Sequence, residues 1–136
     1  MNRLLSNTRT CVLLASSALS AFSTAVAQPA APVLAHSPVL TKLESPWGMA
    51  FLPHGTMFFT EKCHGLSVRQ ASGTVVKLLG MKDAKGYASS ADDLFCEGQA
   101  GMAGVAVDPN FASNRFIYVY STSSLPAPGT NRVLRL

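Results

Sequence analysis

The residues on which chemistry could rest are three histidines, a pair of cysteines and a short acidic run. His36 lies in a stretch rich in proline and alanine. His54 and His64 lie in the glycine-closed turns Pro53-His54-Gly55 and Lys62-Cys-His64-Gly65. All three read as solvated turn or leader residues, not as a general base. Asp92, Asp93 and Glu97 are hard oxygen ligands of the kind calcium takes. They lack the alternating oxygen spacing of a known calcium loop, so a solvated acidic loop is the better reading. Asp108-Pro109 follows Val105-Ala-Val107 and reads as the closing of a turn, not a metal carboxylate. Cys63-His64 has no upstream cysteine to complete the Cys-x-x-Cys-His pattern of haem attachment.

Whether Cys63 and Cys96 pair depends on the compartment. The chain opens with Arg3 and Arg9, continues with the apolar run Cys11-Val-Leu-Leu-Ala-Ser-Ser-Ala-Leu-Ser-Ala-Phe22, and reaches Ala25-Val-Ala27 before Gln28. That order of basic, apolar and small-residue regions predicts a cleavable signal peptide over 1–27 and a periplasmic or secreted product. About a dozen apolar residues are too few to span a bilayer, which takes roughly 20. Cys11 lacks the apolar lead of a lipid attachment site. An oxidising compartment makes Cys63 and Cys96 a disulfide candidate, with two free buried cysteines as the alternative. Closing their interval of 33 residues would stabilise the fold by about 3–4 kcal/mol in the chain-entropy picture. Without Arg3 and Arg9, nine basic residues face seven acidic ones, a net charge near +2 with no basic stripe, which excludes a nucleic-acid partner.

The elements that must carry these residues are strands. Residues 28–39 form an extended leader rich in proline and alanine. From Trp47 onward, short β-rich runs alternate with turn residues, the rhythm of an antiparallel meander: Trp47–Leu52, Thr56–Thr60, Leu66–Gln70 and Thr74–Leu79. Each intervening turn ends in a glycine able to take positive φ. A second unit follows with Met102–Val107, Phe116–Ser121 and Arg132–Leu136. Phe116-Ile-Tyr-Val-Tyr120 predicts a strand covered on both faces. Between the units, Gly80–Gly98 is charged and poor in apolar residues and predicts a long exposed loop. The rhythm of four-stranded units predicts an all-β fold, the first blade and part of the next blade of a β-propeller. The chain stops inside the last strand, as a truncated domain spanning 40–136 would.

Three segments together resemble the PQQ-dependent soluble sugar dehydrogenases, the glucose/sorbosone dehydrogenase family. They are Leu43-Glu-Ser-Pro-Trp-Gly-Met-Ala-Phe-Leu-Pro-His-Gly55 leading into Thr60-Glu61, Gly98-Gln-Ala-Gly-Met-Ala-Gly-Val-Ala-Val-Asp-Pro109, and Asn110-Phe-Ala-Ser-Asn-Arg-Phe-Ile-Tyr-Val-Tyr120. The resemblance implies a six-bladed propeller, pyrroloquinoline quinone (PQQ) and calcium as cofactors, and a histidine base. It implies hydride transfer from C1 of an aldose to the quinone, with a further electron acceptor of unknown identity. It places Gln99, flanked by Gly98 and Gly101, in the sugar and cofactor pocket, where a neutral amide can donate to and accept from hydroxyls. The alternative for Gln99 is a turn residue before a strand. The family's base, cofactor clamp and calcium ligands have no counterpart among these residues, so the chain alone is expected to be inactive.

Two other functions remain open at this point. A propeller can hold glycans or a partner protein without catalysis, because fold does not fix activity. A calcium-dependent lactonase would need metal carboxylates spread round the axis, and no convincing first one is present.

Overall fold

The computed structural model describes residues 30–125 and 127–136. The signal peptide expected over 1–27 lies outside the described residues. Residues 30–38 carry no regular structure and are exposed.

Two sheets follow. Strands β1 (Pro46–Phe51), β2 (Met57–Glu61), β3 (Gly65–Arg69) and β4 (Val75–Met81) form a meander, and β6 (Met102–Val107), β7 (Ile117–Ser123) and β8 (Thr130–Arg135) form a second, with a short β5 (Ser89–Ala91) between them. Within β1–β4 and within β6–β8 the short connections dictate the antiparallel order, since each is too short for a crossover. Among the described residues helix is limited to a 3-10 turn at Pro53–Gly55 and one turn of α-helix, α1 (Phe111–Asn114). The inner strands of the two sheets, β1 and β6, lie against one another, as successive blades of a propeller do.

Both inner strands bulge at equivalent points. The β1–β2 register slips between Pro46 and Met49, and the β6–β7 register slips between Met102 and Val105. These slips bring Gly48 against the second blade: a Cβ on Gly48 would lie 2.7 Å from Ala103 O and 3.1 Å from Gly104 Cα. Thr60, fully buried, fixes this junction. Its hydroxyl accepts from Gly48 N at 3.0 Å and donates to Ala103 O, so one side chain ties the two blades together.

The core is a single cluster of Phe58, Leu66, Leu79, Ala91, Leu94, Met102, Ile117 and Val119, drawn from both sheets. Burying each large member contributes about 1.5–3 kcal/mol. The other face of β1 stays open, with Trp47, Met49 and Phe51 exposed beside Val39 and Leu43.

Four expectations need correction. The first unit has five strands, because β5 adds parallel to β4 with Leu79 opposite Ser89. Gly80–Gly98 is therefore not simply an exposed loop: Ala91 and Leu94 enter the core, and Leu94 forms an antiparallel bridge with Ser123. Its few apolar residues are the ones that anchor it, and a composition averaged over the segment hides them. Asp93 is likewise not solvated, since it pairs with Arg132 at 2.5 Å and accepts from Ser123 Oγ at 2.6 Å. Finally, β7 is not covered on both faces throughout: Ile117, Val119, Ser121 and Ser123 are buried on one face, and on the other Thr122 is buried whereas Tyr120 stays 41% exposed.

Candidate functional site

Gln99 sits at the end of the long connection that runs from β5 into β6. Its side chain is exposed and makes no hydrogen bond to the described residues. It lines an open cleft of about 340 Å³ with Ala100, Tyr120, Thr122, Gly129 and Asn131. The strand period explains this wall: Tyr120 and Thr122 share the face of β7 opposite the core, and Thr122 stands opposite Asn131 of β8. Thr122 Oγ1 donates to Asn131 Oδ1 at 3.1 Å, which leaves the Asn131 NH2 as a donor.

The segment carrying Gln99 is shaped by the β2–β3 turn. Lys62 O accepts from Met102 N at 2.8 Å, and Lys62 Nζ donates to Gly98 O. Cys63 and Cys96 form a disulfide with their Cα atoms 5.6 Å apart. Gly101 has φ +144°, and a Cβ there would stand 2.5 Å from Lys62 O, so the close approach requires glycine.

The histidines do not enter the cleft. His54 occupies the exposed Pro53–Gly55 turn with φ 69°. His64 Nε2 meets Glu44 Oε2 at 2.8 Å on the surface. His36 is exposed in the leader.

Both strongly engaged carboxylates are structural. Asp108 Oδ1 accepts from Asn114 Nδ2 at 2.9 Å and from Asn110 N at 2.8 Å, and Oδ2 accepts from Tyr118 Oη at 2.8 Å. These donors, Asn114 foremost, hold the Asp108 carboxyl below the usual carboxylate range, and the same bond to Asp108 pushes the Tyr118 phenol up. The Ser123 hydroxyl, reinforced by Arg132, holds Asp93 low against the opposing effect of burial. Among the described residues no three His, Cys, Asp or Glu side chains converge on a point that could hold a metal ion.

The cleft presents amide and hydroxyl groups, which can hydrogen-bond to a neutral, hydroxyl-bearing ligand. It does not fit the carboxylates of PQQ, since the nearby cations Lys62 and Arg132 are committed to Gly98 O and Asp93. Sequence reasoning named Gln99, Gly98 and Gly101; the structure sets Tyr120, Thr122 and Asn131 beside Gln99, and Lys62 against Gly98. Alternation along β7 could have grouped Tyr120 with Thr122, whereas nothing in the sequence sets Lys62 beside Gly98.

The model of the family described as Glucose / Sorbosone dehydrogenase matches residues 43–136, both sheets and the cleft together. The chain belongs to the glucose/sorbosone dehydrogenase family. Among curated relatives, an uncharacterized protein of Synechocystis is 32% identical over 120 residues, covering 83% of this chain and 27% of the relative. Aldose sugar dehydrogenase YliI of Escherichia coli is 31% identical over 91 residues, covering 66% of this chain and 22% of that protein. The crystal structure of a glucose dehydrogenase-like oxidoreductase from Thermus thermophilus matches with TM-score 0.60 and 26% identity, over 74% of this chain and 27% of that one. The PQQ-bound form of an aldose sugar dehydrogenase from Streptomyces coelicolor matches with TM-score 0.54 and 27% identity, over 71% and 25%. The chain thus spans about a quarter of the length of these relatives. Its two sheets are blades of the family's β-propeller. No helix among the described residues is long and apolar enough to cross a membrane.

Proposed function

We propose that this chain forms the first blades of a periplasmic quinoprotein that oxidises an aldose at C1. The observation that carries the reading is the family match over 43–136, which includes Gln99 and both of its flanking glycines. A relative of the same fold, the Streptomyces coelicolor enzyme, is a PQQ-bound aldose sugar dehydrogenase. Bound PQQ supplies the two-electron acceptor, and calcium would polarise it.

This chain's own share is recognition. Gln99 presents one acceptor and two donors to the hydroxyls of the ring, and Tyr120 and Asn131 complete a neutral wall on which a sugar can hydrogen-bond without competing charge. The base, the clamp for the quinone carboxylates and the calcium ligands belong to other parts of the site. One segment of a site that needs several blades cannot assemble it, so the 136-residue chain by itself is expected to reduce no dye with aldose, PQQ and calcium present.

The test is a PQQ titration of the complete protein followed by absorbance, with aldose-dependent dye reduction in the same preparation. Saturable quinone binding with sugar-dependent turnover is the expected result. Glycan binding without quinone binding would replace this reading with the non-catalytic one, which the neutral character of the cleft also suits.

A further inference from the structure

The backbone around Gln99 is held on both sides, and three of its ties come from one place, the turn that carries Lys62 and Cys63. We propose that Lys62, together with the Cys63–Cys96 disulfide, is a positioning device for Gln99, built into the β2–β3 turn of the neighbouring blade. The role in sugar recognition rests on the function proposed above; the mechanical part rests on geometry alone.

Four backbone groups bracket Gln99, and each is engaged. Gly98 O accepts from Lys62 Nζ. Ala100 N donates to Glu97 O at 2.8 Å. Gly101 O accepts from Thr122 N at 3.0 Å, and Met102 N donates to Lys62 O at 2.8 Å. Three residues before Gln99, Cys96 is covalently joined to the residue after Lys62. Lys62 is itself anchored, since its N–H donates to Ser45 O at 3.0 Å. Gly101 has no side chain because Lys62 O occupies the space one would need.

Against this fixed backbone the Gln99 side chain is exposed and makes no bond to the described residues. A held backbone with an uncommitted polar side chain is what a binding contact requires, because ordering is settled before the ligand arrives. Holding a lysine on one carbonyl has an entropic cost that a plain surface turn has no need to bear. Lys62 acts from a position 36 residues before Gly98, so the device couples one blade's turn to the next blade's cleft.

The test uses the complete protein, made in an oxidising compartment, with Lys62→Met, Lys62→Arg, Gln99→Ala, the Lys62→Met/Gln99→Ala double variant, and Cys63→Ser/Cys96→Ser. We expect Lys62→Met to raise KM for the aldose about tenfold with kcat changed less than about twofold. Lys62→Arg, which keeps a donor, should return KM to within about twofold of the parent. If Lys62 acts through Gln99, the double variant should be no worse than Gln99→Ala alone. Additive effects, or an unchanged KM in Lys62→Met, would overturn the positioning role. Amide exchange gives an independent readout: the serine pair should speed exchange at Ala100 and Met102 about tenfold while the β2–β3 ladder holds. Unchanged exchange there overturns the mechanical proposal even if the enzyme is active. If the parent oxidises no aldose yet exchange rises as stated, the sugar-oxidising reading fails and the clamp stands.

Discussion

The two ends of the inner strands are built in opposite ways. At one end, β1 and β6 leave through Leu52–Thr56 and Asp108–Phe116, closures made almost wholly from neighbours in sequence. Leu52 N donates to Thr56 O, and Asp108 gathers Asn110, Asn114 and Tyr118 within ten residues of itself. At the other end, the turn of one blade grips the start of the next through Lys62, a disulfide across 33 residues, and the backbone of Met102. The locally closed end lines a separate depression, from Leu52 and Pro53 to Phe111 and Arg115, whereas the cross-linked end carries Gln99. The contrast is one of reach: polar and covalent ties across the sequence hold the rim that carries Gln99, and local hydrogen bonds close the opposite rim.

Cutting the cross-link is the most direct way to break the contrast. Cys63→Ser/Cys96→Ser should lower unfolding stability by about 3–4 kcal/mol, read as a shift in urea midpoint. Loss confined to the Gln99 end by amide exchange would sharpen the comparison, and uniform loss would weaken it. Gly101→Ala forces a side chain into positive φ and against Lys62 O, and should cost roughly 2–3 kcal/mol. Gly104→Ala, where a Cβ meets only Tyr120 Cβ at 3.9 Å, is the control expected to cost much less.

Thr60→Val keeps the shape at the junction but strands Gly48 N–H and Ala103 C=O, and should cost about 1–2 kcal/mol in the same assay. The smallest effect belongs to the locally closed end and depends on pH. Asp108 has its folded-state pKa depressed, so its contribution is fully present above the unfolded value near 3.9 and is lost as pH falls through the lower folded value. Asp108→Asn should therefore reduce the thermal midpoint at pH 7 and flatten its fall below about pH 4. A variant whose acid limb matches the parent's would show that Asp108 is not the group titrating there.

Most of the strand layout was legible in the sequence. Met102–Val107 agrees residue for residue with β6, and the four runs of the first sheet agree with β1–β4 to within two residues. Period-2 burial and glycine-closed turns are local signals, written within a few positions of where they act. The blade repeat is also visible once register is known: Gly48-Met-Ala-Phe-Leu-Pro53 and Gly104-Val-Ala-Val-Asp-Pro109 place a glycine at the bulge and a proline after the strand. The β5 strand escaped because three residues, Ser89–Ala91, pair only as guests of β4's edge and have no pattern of their own.

What the sequence by itself determined is therefore the all-β rhythm, the positions of the turns, the family, and Gln99 as a residue worth following. Only the tertiary structure decided that Asp93 is a structural carboxylate, that the outer face of β7 is open at Tyr120, and that the backbone beside Gln99 is held from another blade. The physical reason is separation: each of those facts depends on a partner placed by the packing of two sheets, and no local periodicity encodes which residue 30 or more positions away will stand opposite.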